Sequence, residues 1–283
     1  MSSPNTPDIT GDQAMIELPA LEYHLAHSCN LSCQQCSHYS NLKLAGSMPT
    51  VEQADADYSR WSQRLRPKRF ALLGGEPLLN PNVIQHIHLA ADHWTGSDLM
   101  LVTNGFFLHR FPDLPAVLVE TGCRLEVSQH GTHDDYVKRF REVKHLVWRW
   151  REDHPGIQIK IRQSHRGWMR QHNIENGKPM PFDSNPNAAY RVCLQKTCTQ
   201  LGENGFLFKC PALAYFAQLE SKLKLNNLPQ WQLFRDYKAI AADATDDELR
   251  TFIETKAVPQ CGLCPSHRTK FVHPNPLQRS TLL

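Results

Sequence analysis

The nine cysteines of this 283-residue chain constrain what it can fold into more than any other feature. A disulfide framework is typical of a short secreted chain with an even cysteine count, whereas this chain is long and its count is odd. Clustered cysteines in a chain of this kind more often bind metal. Only Cys123 stands apart, as expected of a small buried residue. The other eight form two groups, Cys29, Cys33 and Cys36, and then Cys193, Cys198, Cys210, Cys261 and Cys264.

Charge and hydropathy exclude several classes of protein. The formal net charge is +3 and no block of five or more basic residues occurs, which argues against a nucleic-acid partner. No apolar run approaches the roughly 20 residues that a membrane span needs. The first 20 residues lack the basic and apolar regions of a secretion signal. We therefore expect a soluble, cytoplasmic protein that contacts neither nucleic acid nor membrane.

Short apolar runs alternate with amphipathic segments over the first part of the chain. This alternation predicts βαβ units and a parallel sheet, in which ligands bind at the carboxyl ends of the strands. The predicted strands cover 21–27, 69–73, 99–103, 124–128 and 157–161, and the predicted helices cover 51–65, 83–94, 114–121 and 133–151.

The alternation stops after about residue 164. Residues 165–190 are polar and rich in Gly, Pro and Asn, which predicts a linker or long loop. Residues 205–210 predict a strand, as one arm of a hairpin. Helices are predicted near 227–241 and 245–256, and the second begins with the capping box Thr245 to Glu248.

The first cysteine group has the spacing C-x3-C-x2-C and directly follows a predicted strand. Three thiolates in one loop can hold three irons of a 4Fe–4S cluster and leave the fourth iron with an open position. The alternative is a structural zinc site, which normally takes four ligands and would draw the fourth from His27 or His38.

These residues resemble the signature of the radical S-adenosylmethionine enzymes. Gly74-Gly75-Glu76-Pro77 ends the second predicted strand like the GGEP motif of that family, Thr103-Asn104-Gly105 ends the third, and Ser128 ends the fourth. The resemblance covers about residues 20–165. One position departs from the pattern, because Gln35 stands where the family usually has an aromatic residue, so that His38 or Tyr39 becomes the candidate for the adenine contact.

The resemblance implies a catalytic 4Fe–4S cluster and S-adenosylmethionine as cofactors. The open iron would chelate the amino and carboxylate groups of S-adenosylmethionine, with Glu76 adding negative charge beside the ammonium. Reductive cleavage would then give a 5′-deoxyadenosyl radical that takes a hydrogen atom from the substrate. The residues expected to bind S-adenosylmethionine are Gly74, Gly75, Glu76, Thr103, Asn104, Ser128 and Arg162, with Gln163 and Ser164 nearby.

The second cysteine group resembles the twitch form of the SPASM extensions found in such enzymes. The resemblance implies an auxiliary 4Fe–4S cluster on Cys193, Cys210, Cys261 and Cys264, and a zinc site is the alternative. Cys198 is surplus, and it could replace Cys193 as a ligand, be inert, or return a hydrogen atom to a substrate radical as in radical epimerases.

Together these observations predict an α/β fold, a partial (β/α)6 TIM-like barrel over 18–190 with a twitch-like auxiliary domain over 191–270. An N-terminal arm covers 1–17 and a C-terminal tail covers 271–283. The expected reaction is two-electron oxidation of a small molecule such as a sugar or aminocyclitol, with a flavodoxin- or ferredoxin-type reductant.

The rival reaction is modification of a ribosomal peptide by cross-linking or epimerisation. It is disfavoured because the roughly 18 residues before the first strand leave no room for a leader-binding domain of winged-helix type. A non-catalytic protein with two zinc sites is the third hypothesis.

Overall fold

A seven-stranded sheet forms the centre of the protein, which the computed structural model describes over residues 15–42, 48–202 and 205–278. The described strands are β1 (Ile16–Leu18), β2 (Leu21–Ala26), β3 (Leu65–Pro67), β4 (Arg69–Gly74), β5 (Asp98–Thr103), β6 (Arg124–Ser128), β7 (Ile159–Arg162), β8 (Asn173–Glu175), β9 (Lys178–Met180), β10 (Thr199–Leu201) and β11 (Leu207–Phe208).

The strands of the central sheet follow the order β11-β10-β2-β4-β5-β6-β7. All neighbouring pairs from β10 to β7 are parallel, and β11 pairs antiparallel with β10 at one edge. Two small sheets accompany it, a parallel pair of β1 with β3 and an antiparallel hairpin of β8 with β9. The result is an α/β fold with a mostly parallel central sheet, consistent with a partial barrel.

Helices follow the first parallel strands and pack against one face of the sheet. The described helices are α1 (Val51–Trp61), α2 (Val83–His93), α3 (Leu114–Thr121), α4 (Asp134–Asp153), α5 (Pro186–Val192), α6 (Pro211–Ala214), α7 (Phe216–Leu223), α8 (Gln232–Arg235) and α9 (Asp246–Glu254). No described helix is both long enough and apolar enough to cross a membrane.

The two faces of the sheet differ in chemistry because strand side chains alternate between them. The outer face, which packs on the helices, carries buried apolar residues such as Phe70, Leu101 and Val127. The inner face carries a small apolar floor made of Ala71, Leu73, Met100 and Val102. A second apolar cluster lies in the C-terminal part and contains Tyr39, Leu213, Tyr215, Phe216, Leu219, Leu225, Trp231 and Phe234.

The structure confirms the five predicted strands of the first part and the four helices between them, with shifts of a few residues at the ends. The helix predicted over 51–65 ends at Trp61, because Leu65–Pro67 pairs as β3 with β1. The capping box at Thr245 is confirmed, with both of its hydrogen bonds present.

Two predictions for the C-terminal half were wrong, and one helix was missed. The loop predicted over 165–190 contains the β8–β9 hairpin and the start of α5. The helix predicted near 227–241 is reduced to Gln232–Arg235, and Phe216–Leu223 forms a helix that was not predicted. Residues 1–14 of the predicted arm and 279–283 of the predicted tail lie outside the described residues.

Candidate functional site

A cavity of about 740 Å³ lies along the inner face of the sheet, and both cysteine groups line it. Its volume is within the range of small-molecule sites. The carboxyl ends of β4, β5 and β6 open into it, because the cavity is also lined by Gly74, Thr103 and Ser128. This is the edge at which parallel sheets bind their ligands.

The loop after β2 places the first cysteine group at this edge. Cys33 is buried, and Cys29 and Cys36 are partly buried. The sulfur of Cys29 accepts a hydrogen bond from the backbone N–H of Leu31 at 3.4 Å and one from the Asn104 amide at 3.8 Å. Such hydrogen bonds to a ligand sulfur orient it and tune a bound cluster.

The electrostatics of the three thiols suit iron as their partner. Burial, together with the charge of Glu76, raises the pKa of Cys29, and burial with the charges of the other two cysteines raises the pKa of Cys33. Burial also acts to raise the pKa of Cys36, but the hydrogen bond between Cys36 and His38 acts in the opposite direction. The pKa of the Cys36 thiol is lowered overall. Two buried thiolates therefore need positive charge from a metal, which the irons of a cluster supply.

Gly74 and Gly75 bring the backbone of β4 against the loop of the first cysteine group. The N–H of Gly75 donates to the carbonyl of Ala26 at 2.8 Å, and the N–H of Glu76 donates to that of Ser28 at 3.0 Å. A Cβ on Gly74 would lie 2.2 Å from the Ala26 carbonyl oxygen, and Gly74 has a φ of +148°. Only glycine permits this approach.

The Glu76 carboxylate does not line the cavity, although the sequence led us to expect it beside the ammonium of S-adenosylmethionine. It is fully buried and accepts hydrogen bonds from the N–H of Leu78 (3.0 Å), the hydroxyl of Thr103 (2.5 Å) and the N–H of Asn104 (2.8 Å). Burial raises the pKa of Glu76 to about 7, although the three hydrogen bonds act to lower it. Glu76 therefore fixes the turn after β5 rather than facing a ligand.

The other residues predicted to bind S-adenosylmethionine line the cavity, and one of them, Arg162, is in an ion pair. Thr103, Asn104, Ser128 and Arg162 line it together with Gly74 and Gly75. Arg162 is paired with Glu126, from guanidinium to carboxylate, at 2.9 Å. The Glu126 carboxylate therefore compensates part of the positive charge of the Arg162 guanidinium.

Four cysteines of the second group are close enough to interact electrostatically. Cys193 follows α5, Cys210 precedes α6, and Cys261 and Cys264 lie at the turn over 259–263. Burial and then the charges of the other three raise the pKa of Cys264. This convergence of four thiols on one wall of the cavity fits a metal centre that takes four cysteine ligands.

Cations surround this second group. Burial raises the pKa of both Cys193 and Cys261. Lys196 and Arg268 act to lower the pKa of Cys193, and Lys209 acts to lower that of Cys261. The Lys209 ammonium is held in place by the carbonyls of Phe252 and Thr255 at the end of α9. Positive charge beside thiolates stabilises them, as a ligand set requires.

Cys198 differs from those four thiols in its main electrostatic partner. Its pKa is raised by burial and then by the charge of Glu22, with a smaller contribution from Cys193. The Glu22 carboxylate also accepts from the Gln200 amide at 2.6 Å and lies 3.9 Å from the His38 ring. Cys198 therefore keeps its hydrogen at neutral pH, and its partner is a carboxylate on β2.

Within the three described stretches, no group of three or more His, Cys, Asp or Glu side chains is arranged to hold a metal ion. In a 4Fe–4S cluster each cysteine binds a different iron, so its ligands stand farther apart than those around a single zinc ion.

Sequence reasoning missed several residues that build the site. The Gln35 side chain accepts from the N–H groups of Gln171 (2.7 Å) and His172 (3.2 Å), and so positions a neighbouring wall segment instead of meeting adenine. His38 lines the cavity, whereas Tyr39 packs into the second apolar cluster. Gln35 has a φ of +58°, a left-handed backbone conformation that the spacing of residues in the sequence does not predict.

One protein-family model and one curated protein match part of this chain. The model of the radical SAM superfamily matches residues 23–152, which is less than half of the chain. GTP 3′,8-cyclase of Microcystis aeruginosa is 31% identical over 153 residues, covering 52% of this chain and 45% of the relative. The match thus spans less than half of that curated relative.

Solved structures with similar chains are more distant. The structure of BtrN in complex with AdoMet and 2-DOIA has a TM-score of 0.45 and 17% identity, covering 77% of this chain and 85% of that one. SuiB of Streptococcus suis bound to S-adenosylmethionine has a TM-score of 0.39 and 11% identity, covering 86% and 67%. The part of the chain that matches the radical SAM superfamily, residues 23–152, contains the loop of the first cysteine group and the ends of β4, β5 and β6 that line the cavity.

Proposed function

We propose that the protein is a radical SAM enzyme that cleaves S-adenosylmethionine reductively and removes a hydrogen atom from its substrate. The observation that carries this proposal is the meeting of Cys29, Cys33 and Cys36 with the backbone of Gly74 and Gly75 at one cavity. When bound, the cluster and S-adenosylmethionine supply the one-electron chemistry.

The chain's own residues hold and orient these groups. The three thiolates hold the cluster, and the Asn104 amide orients Cys29 through its hydrogen bond to the sulfur. The half-buried backbone of Gly74 and Gly75 would accept hydrogen bonds from the ammonium of S-adenosylmethionine, and Ser128 and Arg162 would contact its ribose or carboxylate.

The second part of the proposal is an auxiliary 4Fe–4S cluster held by Cys193, Cys210, Cys261 and Cys264 in a twitch-like arrangement. The four mutually close thiols and their three neighbouring cations support it. When bound, a fully ligated cluster supplies a one-electron acceptor. The reaction is then a two-electron oxidation of a small molecule such as a sugar.

Oxidation also releases a proton, which a protein group must accept. Two carboxylates line the cavity, Glu22 and Glu126, and both are buried. A buried charge is costly unless it is paired. Each carboxylate therefore has a polar partner, Gln200 for Glu22 and Arg162 for Glu126. We assign proton uptake to this pair.

A second candidate reaction is epimerisation, including epimerisation of a peptide. The observation in its favour is the Cys198 thiol, which lines the cavity and whose pKa is raised by burial and then by the charge of Glu22, so that the thiol stays protonated. A protonated thiol can return a hydrogen atom to a substrate radical. Cys198→Ala separates the two reactions, because it would abolish solvent-hydrogen incorporation in an epimerase and leave an oxidase active.

The test of the main proposal is iron and sulfide content together with 5′-deoxyadenosine release under dithionite, on anaerobically reconstituted protein. Two 4Fe–4S clusters predict about eight irons in the wild type and about four in a Cys29/Cys33/Cys36→Ala variant, with nucleoside released only by the wild type. Cys123→Ala is the matched control and keeps all iron, because Cys123 is buried away from both groups. Zinc in place of iron, or no nucleoside under any condition, would contradict the enzymatic proposal and leave a two-site metal-binding scaffold.

A further inference from the structure

A stretch of chain that follows the second cysteine group returns to the first. Residues 268–277, which we call the strap, begin where Nε of Arg268 donates to the carbonyl of Val192 at 3.1 Å, at the end of α5. The strap then joins the segment after β7, because the N–H of Arg170 donates to the carbonyl of Thr269 at 3.0 Å. These contacts place the near end of the strap along one wall of the cavity.

The middle of the strap supports the same wall. The centroid of the His273 ring lies 4.7 Å from that of the Trp168 ring, and Met169 forms an antiparallel β-bridge with Lys270. Trp168 and Met169 both line the cavity. The strap therefore packs against residues that face the cavity.

The far end of the strap lies against the loop of the first cysteine group. Ser32, which stands directly before Cys33, donates its backbone N–H to the carbonyl of Pro276 at 2.8 Å. Ser32 is buried, and a buried N–H group needs an acceptor, which the strap supplies. A Cβ on Gly131 would lie 3.0 Å from the ring of Pro276, so glycine allows the strap to come this close.

Asn275 anchors this far end to α4. Its side-chain amide donates to both carboxylate oxygens of Asp135, at 2.8 and 2.7 Å, and its side-chain oxygen accepts from the N–H of Leu277 at 3.1 Å. Asn275 is only 8% exposed. These hydrogen bonds hold the turn that contains Pro276, and so fix the carbonyl that Ser32 contacts.

Chain connectivity ties the strap to the second cysteine group. Arg268 comes four residues after Cys264, and four residues of extended chain reach at most about 14 Å. The turn over 259–263 that precedes Cys264 is itself fixed, because the N–H of Ser184 donates to the carbonyl of Gly262 at 2.8 Å. The loop of the first group is thus held by a segment whose start is set by the second group.

We infer that the strap is a positioning element for the radical SAM site: through Asn275 and Pro276 it holds the loop of the first cysteine group and so sets the position of Cys33. This inference rests on the proposed function and deepens it, since it assigns a role at the first site to residues beyond the second cysteine group. Loss of a contact that only stabilised the fold would affect the whole protein, whereas loss of a positioning element should first release the loop.

The first test is the rate at which iodoacetamide labels Cys33 in the iron-free full chain, followed by mass spectrometry. Cys33 is 6% exposed, so labelling requires local opening of its loop. Asn275→Ala should raise this rate about tenfold, or about 1.4 kcal/mol, because it removes hydrogen bonds to the charged Asp135. Cys123, which is 2% exposed, is the internal control and should react at an unchanged rate.

Exchange of the two anchoring residues separates the hydrogen bonds from the loss of a side chain. Asn275→Asp alone brings two carboxylates together and should release the loop as Asn275→Ala does. Asp135→Asn added to Asn275→Asp again sets an amide against a carboxylate, and should return labelling of Cys33 to near the wild-type rate. Asn227→Ala, at an exposed asparagine after α7, is the matched control and should behave like the wild type.

The second test is equilibrium dialysis of S-adenosylmethionine against the reconstituted holoenzyme. Asn275→Ala should bind it about tenfold more weakly, and the exchanged pair should bind it like the wild type. Equal labelling of Cys33 in Asn275→Ala and the wild type, an equal rise at Cys123, or faster labelling with unchanged binding would each overturn the inference. Absence of binding by the wild type contradicts the proposed function, and the labelling then still decides whether the strap holds the loop.

Discussion

The backbone N–H of Tyr39 donates to the carbonyl of Cys36 at 3.1 Å, while the Tyr39 ring packs beside Cys210 and Cys264 in the second apolar cluster. Tyr39 is only 5% exposed and has a φ of +56°. One residue thus ties the loop of the first cysteine group to the region of the second.

Replacing Tyr39 by alanine should destabilise the protein by about 3 kcal/mol, because it empties a buried aromatic site. The free energy of unfolding, measured by urea titration with tryptophan fluorescence, checks this. Tyr39→Phe should be nearly neutral, since the hydroxyl has no hydrogen-bond partner in the described part of the chain. Equal midpoints for Tyr39→Ala and the wild type would show that the ring does not join the two regions.

Gly74→Ala should abolish binding of S-adenosylmethionine and destabilise the fold. The new Cβ would lie 2.2 Å from the carbonyl oxygen of Ala26, so β4 would have to move away from the loop of the first cysteine group. Equilibrium dialysis of S-adenosylmethionine and thermal unfolding measure the two effects.

Gly96→Ala is the matched control for this change. Gly96 also has a positive φ, +83°, but a Cβ there meets nothing within 4 Å. It should cost only about 1–2 kcal/mol of left-handed strain and leave ligand binding intact. Similar losses in both variants would mean that backbone strain, not the contact with Ala26, limits this position.

Cys193→Ala and Cys198→Ala should differ in iron content. Cys193 acts electrostatically on Cys210 and Cys264, whereas Glu22 acts on Cys198 more strongly than Cys193 does. We expect Cys193→Ala to lose the auxiliary cluster and Cys198→Ala to keep it, as measured by iron analysis after reconstitution. The reverse result would assign Cys198 as the ligand.

Glu76→Gln should remove a pH dependence of stability between about pH 4.5 and 7. Burial raises the pKa of Glu76 from 4.5 to about 7, so the folded state holds its proton more tightly than the unfolded state. The contribution of Glu76 to stability is therefore fully present below pH 4.5 and is lost as pH rises to 7, by on the order of 3 kcal/mol.

Protein prepared without iron is the material for this measurement, so that the nearby cysteines remain thiols. Urea titrations at several pH values give the slope for the wild type and for Glu76→Gln. Glutamine also turns an amide donor toward the N–H of Leu78 or Asn104, which should lower stability at acid pH by about 1–3 kcal/mol. An unchanged slope in the variant would assign the titration to another group.

The first part of the fold was predictable because its signals are local. A buried parallel strand is an apolar run that ends in glycine or a short polar residue, as in Arg69–Gly74 and Asp98–Thr103. The C-terminal part lacks such signals. Trp231 and Phe234 fill the second cluster from a 3-10 turn and from the four-residue α8, so apolar residues in this region do not mark the long helix predicted over 227–241.

For the site, the sequence indicated which residues meet at the strand ends but not where their side chains point. Glu76 follows Gly75 in a motif at the cavity, yet its carboxylate turns to Thr103 and Asn104, partners 27 and 28 residues away. The hydrogen bond that the Gln200 amide donates to Glu22 spans a still longer separation, 178 residues. Contacts of this kind depend on the sheet order, which local patterns do not encode.

The pairing of β10 with β2 bears on how the chain folds during synthesis. β2 lies near the start of the chain, and its outer neighbour Thr199–Leu201 comes about 175 residues later. Until that segment leaves the ribosome, one edge of β2 has no strand beside it. A nascent or truncated chain that stops before Thr199 therefore offers this apolar edge to other chains, and such edges promote aggregation. The later-made strand β10 thus covers an edge of the earlier-made strand β2.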